Sequence, residues 1–444
     1  MTTALNRKAP TAPGKLPVLG HSLSLLRPDR VGYFTALRSI GDLVEIKIGA
    51  RPYVLLNSPE LVRDALLEQG SSFDRGRIFE KARPYVGDGL FTSQGTEHLR
   101  QRRSVQPAFH HARLDSYAGM MADIARRHVS AWQPGDTLNA DHEMHVLASE
   151  IIGRTMFQSP LAREVIQLCS DELPTLVQGL GVRTVLPDFF TQLPLPVNRR
   201  YDAACAKFRD AARRLVDSYR ESGGGGRGDF VSMLMEARDA KTGVAPTDTE
   251  IRDQIMTLLI SAIETPATTL AWALYELASA PEVRAQLEEE ADRVFHGDVD
   301  LAELRVTEAF VLENLRLHHP LWMLMRRAVR PVTVGGVHLE AGTEVIYSPA
   351  AMHRDPAIFP DPMRIRPERW LGDGPTPEMQ RAFVPFGLGR RQCMGDAFAM
   401  IQMKISVAAV AAGSRLSLPA GFRPKTVTTS VVRLAELPMI VGAR

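Results

Sequence analysis

Between Phe386 and Gly395 the chain reads Phe-Gly-Leu-Gly-Arg-Arg-Gln-Cys-Met-Gly, and no other stretch limits the fold as tightly. Cys393 stands between Gly389 and Gly395, behind Arg390 and Arg391. Beyond Gly395 the apolar residues Ala397, Phe398, Met400, Ile401 and Ile405 recur at helical spacing. A glycine-bounded loop therefore delivers a thiol to the start of a long apolar helix. Helix-terminal N–H groups and neighbouring arginines favour a thiolate there. The glycines let the backbone approach closely or take positive φ, so that N–H groups can point at the sulfur. Such a group can act as a nucleophile, a structural thiol or a metal ligand.

The other two cysteines, Cys169 and Cys205, are distant from it and from each other. No disulfide framework or paired zinc spacing results, and a reducing cytoplasm fits. A formal net charge of +2 over 444 residues argues against nucleic acid as a partner. The N-terminus has no apolar run of signal or membrane-spanning length, so no membrane anchor is expected. Residues 1–20 read as an extended lead-in, and no long linker interrupts the rest of the chain, so residues 1–444 are expected to form a single domain.

Taken in order, the chain is expected to be β-rich at about 40–60 and 330–350 and helical at about 95–320 and 395–412. Leu43–Ile48 alternates as a strand, with Tyr53–Leu56 as its partner. In Gly95–Phe109, His98 and Arg102 are four apart and share a helix face; alone, this reads as a solvated basic helix. Thr247 and Glu250 form a capping box for a long apolar helix running to Leu277. At its centre lies Ser261-Ala262-Ile263-Glu264-Thr265-Pro266. An acid in such a helix requires a partner or a role. Pro266 lacks an N–H, which frees the carbonyl of Ala262 and predicts a kink. Thr265 can serve chemistry or simply bond back to a helix carbonyl. Glu313 and Arg316 form an i, i+3 pair.

Together these segments resemble the cytochrome P-450 superfamily. The loop matches that family's haem-binding motif at Phe386, Gly389, Arg391, Cys393 and Gly395. The resemblance implies a mainly α fold with small β-sheets, holding heme b (iron protoporphyrin IX) between a long distal helix and a proximal cysteine-loop helix. Cys393 would be the axial thiolate. His98, Arg102 and Arg326 would bind haem propionates, Glu264 and Thr265 would form the oxygen-activating acid–alcohol pair, and Glu313, Arg316 and Arg369 would brace the loop. Ser261, Ala262 and Pro266 depart from the usual residues of the acid–alcohol motif.

The implied activity is that of a monooxygenase using O2 and electrons from ferredoxin and an NAD(P)H-dependent ferredoxin reductase. Arg100, Arg103, Arg390, Arg391 and Lys404 are expected to form a basic docking patch. The pocket candidates Leu258, Ala262, Trp322, Met323 and Leu324 are apolar, which favours a hydrophobic small-molecule substrate, with core packing as the alternative for each. The runs Arg316–Arg326 and Leu195–Tyr201 resemble terpenoid- and sterol-oxidising members, so a terpenoid of bacterial secondary metabolism is expected. Fatty-acid or polyketide hydroxylation, direct use of peroxide and a non-enzymatic haem sensor are the alternatives.

Overall fold

Alternation in Leu43–Ile48 and Arg51–Leu56 becomes an antiparallel pair, with Leu43 opposite Leu56 and Ile48 opposite Arg51. The computed structural model describes residues 8–185, 188–223, 225–239, 241–297 and 299–444; residues 1–7 of the expected lead-in lie outside them. Arg51–Leu56 pairs in parallel with Glu344–Tyr347, which pairs antiparallel with Leu324–Ala328. Phe73–Arg75 adds the fifth strand at the edge. Because side chains alternate across a strand, this sheet feeds two cores. Leu43, Val54, Leu56, Val345 and Tyr347 pack into one, while Val44, Ile46, Tyr53, Leu55 and Ile346 pack into the other.

Contacts divide the chain into two compact units. The first contains this sheet and comprises the residues up to Glu80, Glu313–Cys393 and Thr426–Val432. The second comprises Lys81–Leu312, Met394–Lys425 and Arg433–Arg444 and is chiefly helical. In it, Asp248–Ser279 packs against Ala140–Met156 and against the cysteine-loop helix Asp396–Gly413, which also packs on His111–Ser130. Strands Thr137–Asn139, Pro438–Gly442 and Arg415–Ser417 form a small sheet in the same unit.

The long helix starts where the capping box places it. Thr247 Oγ1 accepts from the Glu250 N–H at 3.2 Å, and Glu250 Oε2 accepts from the Thr247 N–H at 2.6 Å. The helix then runs through Pro266 without interruption. Its most apolar 18-residue window has the length and composition of a membrane span, yet 78% of that window is buried. It is a core helix, apolar on most sides because protein surrounds it.

Candidate active site

In the first unit, Cys393 is exposed, whereas Cys169 and Cys205, in the second, are buried. The Cys393 N–H donates to the Phe386 carbonyl at 2.9 Å, and Gly389–Arg391 forms a single 3-10 turn. Gly389 is a conformational requirement: φ is +68°, and a Cβ there would stand 2.1 Å from the Leu66 carbonyl oxygen. Two buried histidines pin the segment leading into the loop. His353 Nε2 accepts from the Val384 N–H at 3.0 Å. His319 Nδ1 lies 2.8 Å from the Leu321 carbonyl oxygen and 3.1 Å from its backbone nitrogen, and Nε2 lies 3.1 Å from the Pro385 carbonyl oxygen. Burial pushes His319 down to about 4, keeping it neutral. Sequence reasoning missed both roles, since neither lies in a periodic pattern.

Glu313, Arg316 and Arg369 come together as expected. Arg316 donates to both Glu313 oxygens at 2.8 Å and to the carbonyls of His353 and Pro362. Arg369 Nε and Trp370 Nε1 complete the carboxylate at 3.1 and 2.9 Å. The side chains of Glu313 and Arg316 are fully buried, unlike the exposed pairs this spacing usually gives.

The edge of the five-stranded sheet gathers cations. Arg326 is 3% exposed and lies opposite Arg75 across the strand pair. Arg391 pairs with Asp74, and its Nη1 is buried without a hydrogen-bond partner among the described residues. Burial, with a smaller contribution from Arg326, pushes Arg391 down to about 10. Burial, then Arg326 and Arg391, holds Arg75 well below the usual arginine range. The guanidiniums of Arg75, Arg326 and Arg391 thus gather beside Asp74.

In the second unit, the middle of the long helix separates its acid from its alcohol. Thr257, Ser261, Ala262 and Thr265 form an incompletely covered stripe on an otherwise buried helix, with Leu258 buried beside it. The Thr265 hydroxyl donates back to the Ser261 carbonyl at 2.9 Å. Glu264 turns the other way, 4% exposed, and meets His145 of the Ala140–Met156 helix at 3.2 Å. The loop Gly87–Leu90 sits on the same helix. The Leu90 N–H donates to Gln254 Oε1 at 3.1 Å, and a Cβ on Gly89 would stand 2.3 Å from Thr257 Oγ1. His98 and Arg102 share the Gly95–Val105 helix as predicted, His98 being buried.

These features coincide with a match to the profile described as Cytochrome P450 over residues 10–439. The chain belongs to the cytochrome P450 family. It is 36% identical over 98% of its length to cyclooctat-9-en-7-ol 5-monooxygenase of Streptomyces melanosporofaciens, covering 95% of that protein. It is 33% identical to pentalenene oxygenase of Streptomyces avermitilis, covering 95% of this chain and 94% of that one. Among solved structures, the haem domain of cytochrome P450DA superposes with a TM-score of 0.84 at 26% identity, each chain 98% covered.

Cytochrome P450 proteins carry haem with a cysteine thiolate ligand, and the side chains described above fit that group. Cys393 is accessible. The buried Arg391 Nη1, which has no hydrogen-bond partner among the described residues, suits an anionic group such as a haem propionate. Arg75, which no sequence motif indicated, is brought opposite Arg326 by the strand register.

Two expectations need correction. Trp322, expected to line the pocket, is 6% exposed, packs on Phe34 and donates to the Thr429 carbonyl at 3.0 Å; its indole N–H required a buried acceptor, and the core supplies one. Met323 and Leu324 remain partly exposed. The expected basic patch also dissolves. Arg100 pairs with Glu97 and Glu250, Arg103 with Asp239, Lys404 with Glu308 and Arg391 with Asp74. Paired cations project little net field, and of the five only Arg390 is exposed with no ion pair among the described residues.

Proposed function

We propose that this P450 is a monooxygenase inserting one oxygen atom of O2 into a hydrophobic terpenoid, with a ferredoxin supplying the electrons in the cytoplasm. The observation that carries the reading is the Phe386–Gly395 thiolate loop, in a chain similar along nearly its whole length to enzymes of cyclooctat-9-en-7-ol and pentalenene oxidation. Both are terpenoid oxidations. The family profile spans residues 10–439, which supports one catalytic domain.

On this reading Cys393 ligates the iron, while His98, Arg102, Arg326 and Arg391 hold the propionates, with Arg75 alongside. Bound haem supplies the reductive activation of O2 and the oxidising power. The protein does the rest. The Phe386–Gly395 loop fixes the thiolate, and the Glu313–Arg316–Arg369 network keeps that loop from shifting. Of the apolar pocket candidates, Ala262 in the helical unit and Met323 and Leu324 in the sheet-bearing unit remain partly exposed, and such side chains offer a substrate few polar handles. Thr265 presents a hydroxyl on the uncovered stripe, where it can orient a proton-carrying water. Glu264 is the acid behind it.

Optical titration of the purified haem protein tests the reading. A fitting substrate displaces water from the iron and moves the main absorption band to shorter wavelength. The panel contains sesquiterpene, diterpene and triterpene hydrocarbons and alcohols, fatty acids and macrolactones. We expect a saturable shift with a cyclic terpenoid. A shift confined to fatty acids or macrolactones refutes the substrate class, and absence of haem absorption in haem-supplied protein refutes the whole reading.

A further inference from the structure

The buried acid of the long helix is not alone. His145 is itself 8% exposed, with Nε2 at 3.2 Å from Glu264 Oε2 and Nδ1 at 2.7 Å from the Asp141 carbonyl oxygen. A carbonyl can only accept, so Nδ1 carries a hydrogen in every state that keeps this bond. The contact between Nε2 and Oε2 then requires one proton, held on either atom. Imidazolium with carboxylate satisfies it, and so does neutral imidazole with carboxylic acid. Neutral imidazole facing a carboxylate does not, because two lone pairs then oppose each other.

From this geometry we propose that His145 is the positioning residue of Glu264, anchoring its carboxyl group against the Ala140–Met156 helix and storing the proton that Glu264 gives up during turnover. The proposal rests on the monooxygenase reading and deepens it. The transfer is a single proton: the Nε2–H bond breaks, an Oε2–H bond forms, imidazolium becomes neutral imidazole and carboxylate becomes acid. No electron moves.

The surroundings support a store rather than an inert ion pair. Asp141 lies on the same helix as His145, its carboxylate 3.9 Å from Nδ1, and Arg433 reaches that carboxylate at 3.4 Å. Glu264 and His142 are the other ionisable groups acting on Asp141. Although burial opposes charging His145, Glu264 and then Asp141 overcome it and raise its pKa to about 8. One helical turn beyond His145 and Glu264 lie Ser149 and Thr268. Both hydroxyls are buried and have no hydrogen-bond partner among the described residues, and Asp141 Oδ1 is in the same condition. Buried polar atoms of this kind ordinarily hold water, which would reload the pair between turnovers.

Selective 13C labelling of histidine in the haem-loaded protein, kept diamagnetic with carbon monoxide, gives the first measurement; His145→Gln assigns the signal. We expect the His145 ring to titrate near 8 and to fall to or below its ordinary value near 6.5 in Glu264→Gln. A wild-type value at or below 6.5, or one unmoved by Glu264→Gln, overturns the proposal. This titration needs no substrate, so it decides the matter even if the terpenoid reading fails. The second measurement uses the panel compound that shifts the spectrum. In wild type, the ratio of product formed to NAD(P)H consumed should fall as pH passes about 8. His145→Gln keeps a donor to Glu264 but stores no proton, so its ratio should be lower by about tenfold and show no inflection there. Wild-type coupling with the inflection intact in His145→Gln also overturns the proposal.

Discussion

Glu313→Gln isolates what the buried brace contributes. The carboxylate accepts five hydrogen bonds: from Arg316 Nη2, Arg366 N–H and Arg369 Nε at Oε1, and from Arg316 Nε and Trp370 Nε1 at Oε2. Glutamine must put an NH2 group at one of these positions. Even at the less crowded oxygen it opposes two donors, each costing about 1–3 kcal/mol when left unsatisfied in the interior. Arg316 and Arg369 lose their counter-charge at the same time, and breaking a buried pair costs about 3–5 kcal/mol. These costs overlap, because they describe the same bonds. Carbonyls of His353, Pro362 and Arg364 still hold Arg316, so the total stays near about 3–5 kcal/mol. That is a large share of the roughly 5–15 kcal/mol by which domains are stable. Differential scanning calorimetry of the haem-loaded protein, with absorbance following haem release, should show Tm lowered by about 3–5 °C for a chain of this length. Glu378→Gln, in an exposed pair with Arg381, is the control and should change Tm by under about 1 °C. If Glu313→Gln stays within about 2 °C of wild type, the carboxylate does not brace the loop.

Acid should loosen the same loop through His319. Its folded pKa of about 4 lies below the ordinary 6.5, so its contribution is complete above pH 6.5 and is lost as pH falls toward 4, by about 3 kcal/mol in all. Haem release followed from pH 7 to 4 should steepen over that window, and His319→Asn should flatten it; an unchanged acid limb refutes the assignment. Thr265→Ala removes the hydroxyl on the uncovered stripe and should divert electrons from product to hydrogen peroxide, measured against NAD(P)H consumed. Unchanged coupling removes Thr265 from the proton path. Gly389→Ala introduces a Cβ 2.1 Å from a backbone carbonyl at φ +68° and should cost about 1–3 kcal/mol, read as faster haem loss; wild-type retention would show that the loop has slack.

What was legible in the sequence had a local physical signature. The capping box, the strand alternation before Leu56 and the glycine at 389 each follow from one residue's geometry, and each appears where the pattern put it. The brace was legible only through resemblance, because Glu313 with Arg316 alone reads as a surface pair. Partners supplied by distant segments were not legible. His145 has no motif, and only the packing of its helix on Asp248–Ser279 joins it to Glu264. Arg75 acquires meaning from a strand register with Leu324–Ala328, a strand the sequence did not announce. The basic patch failed for the converse reason: counting cations along the chain ignores the carboxylates that folding brings to them.

That last point gives Arg391 an effect whose sign should reverse with loading. In haem-free protein its guanidinium sits near those of Arg326 and Arg75, and its charge is held against burial. Arg391→Gln relieves that crowding, and Asp74 still accepts from the Arg75 N–H at 2.8 Å. The haem-free Tm should therefore hold or rise. With haem bound, the same change deletes a charge-assisted bond worth about 1.5–3 kcal/mol, so affinity for haem should fall roughly 10- to 100-fold and the loaded Tm should drop. Transfer of haem to apomyoglobin measures the first quantity and calorimetry the second. A site built only for structure would lose stability in both states alike. Equal destabilisation with and without haem would mean that Arg391 serves Asp74, and that its buried Nη1 does not serve a propionate.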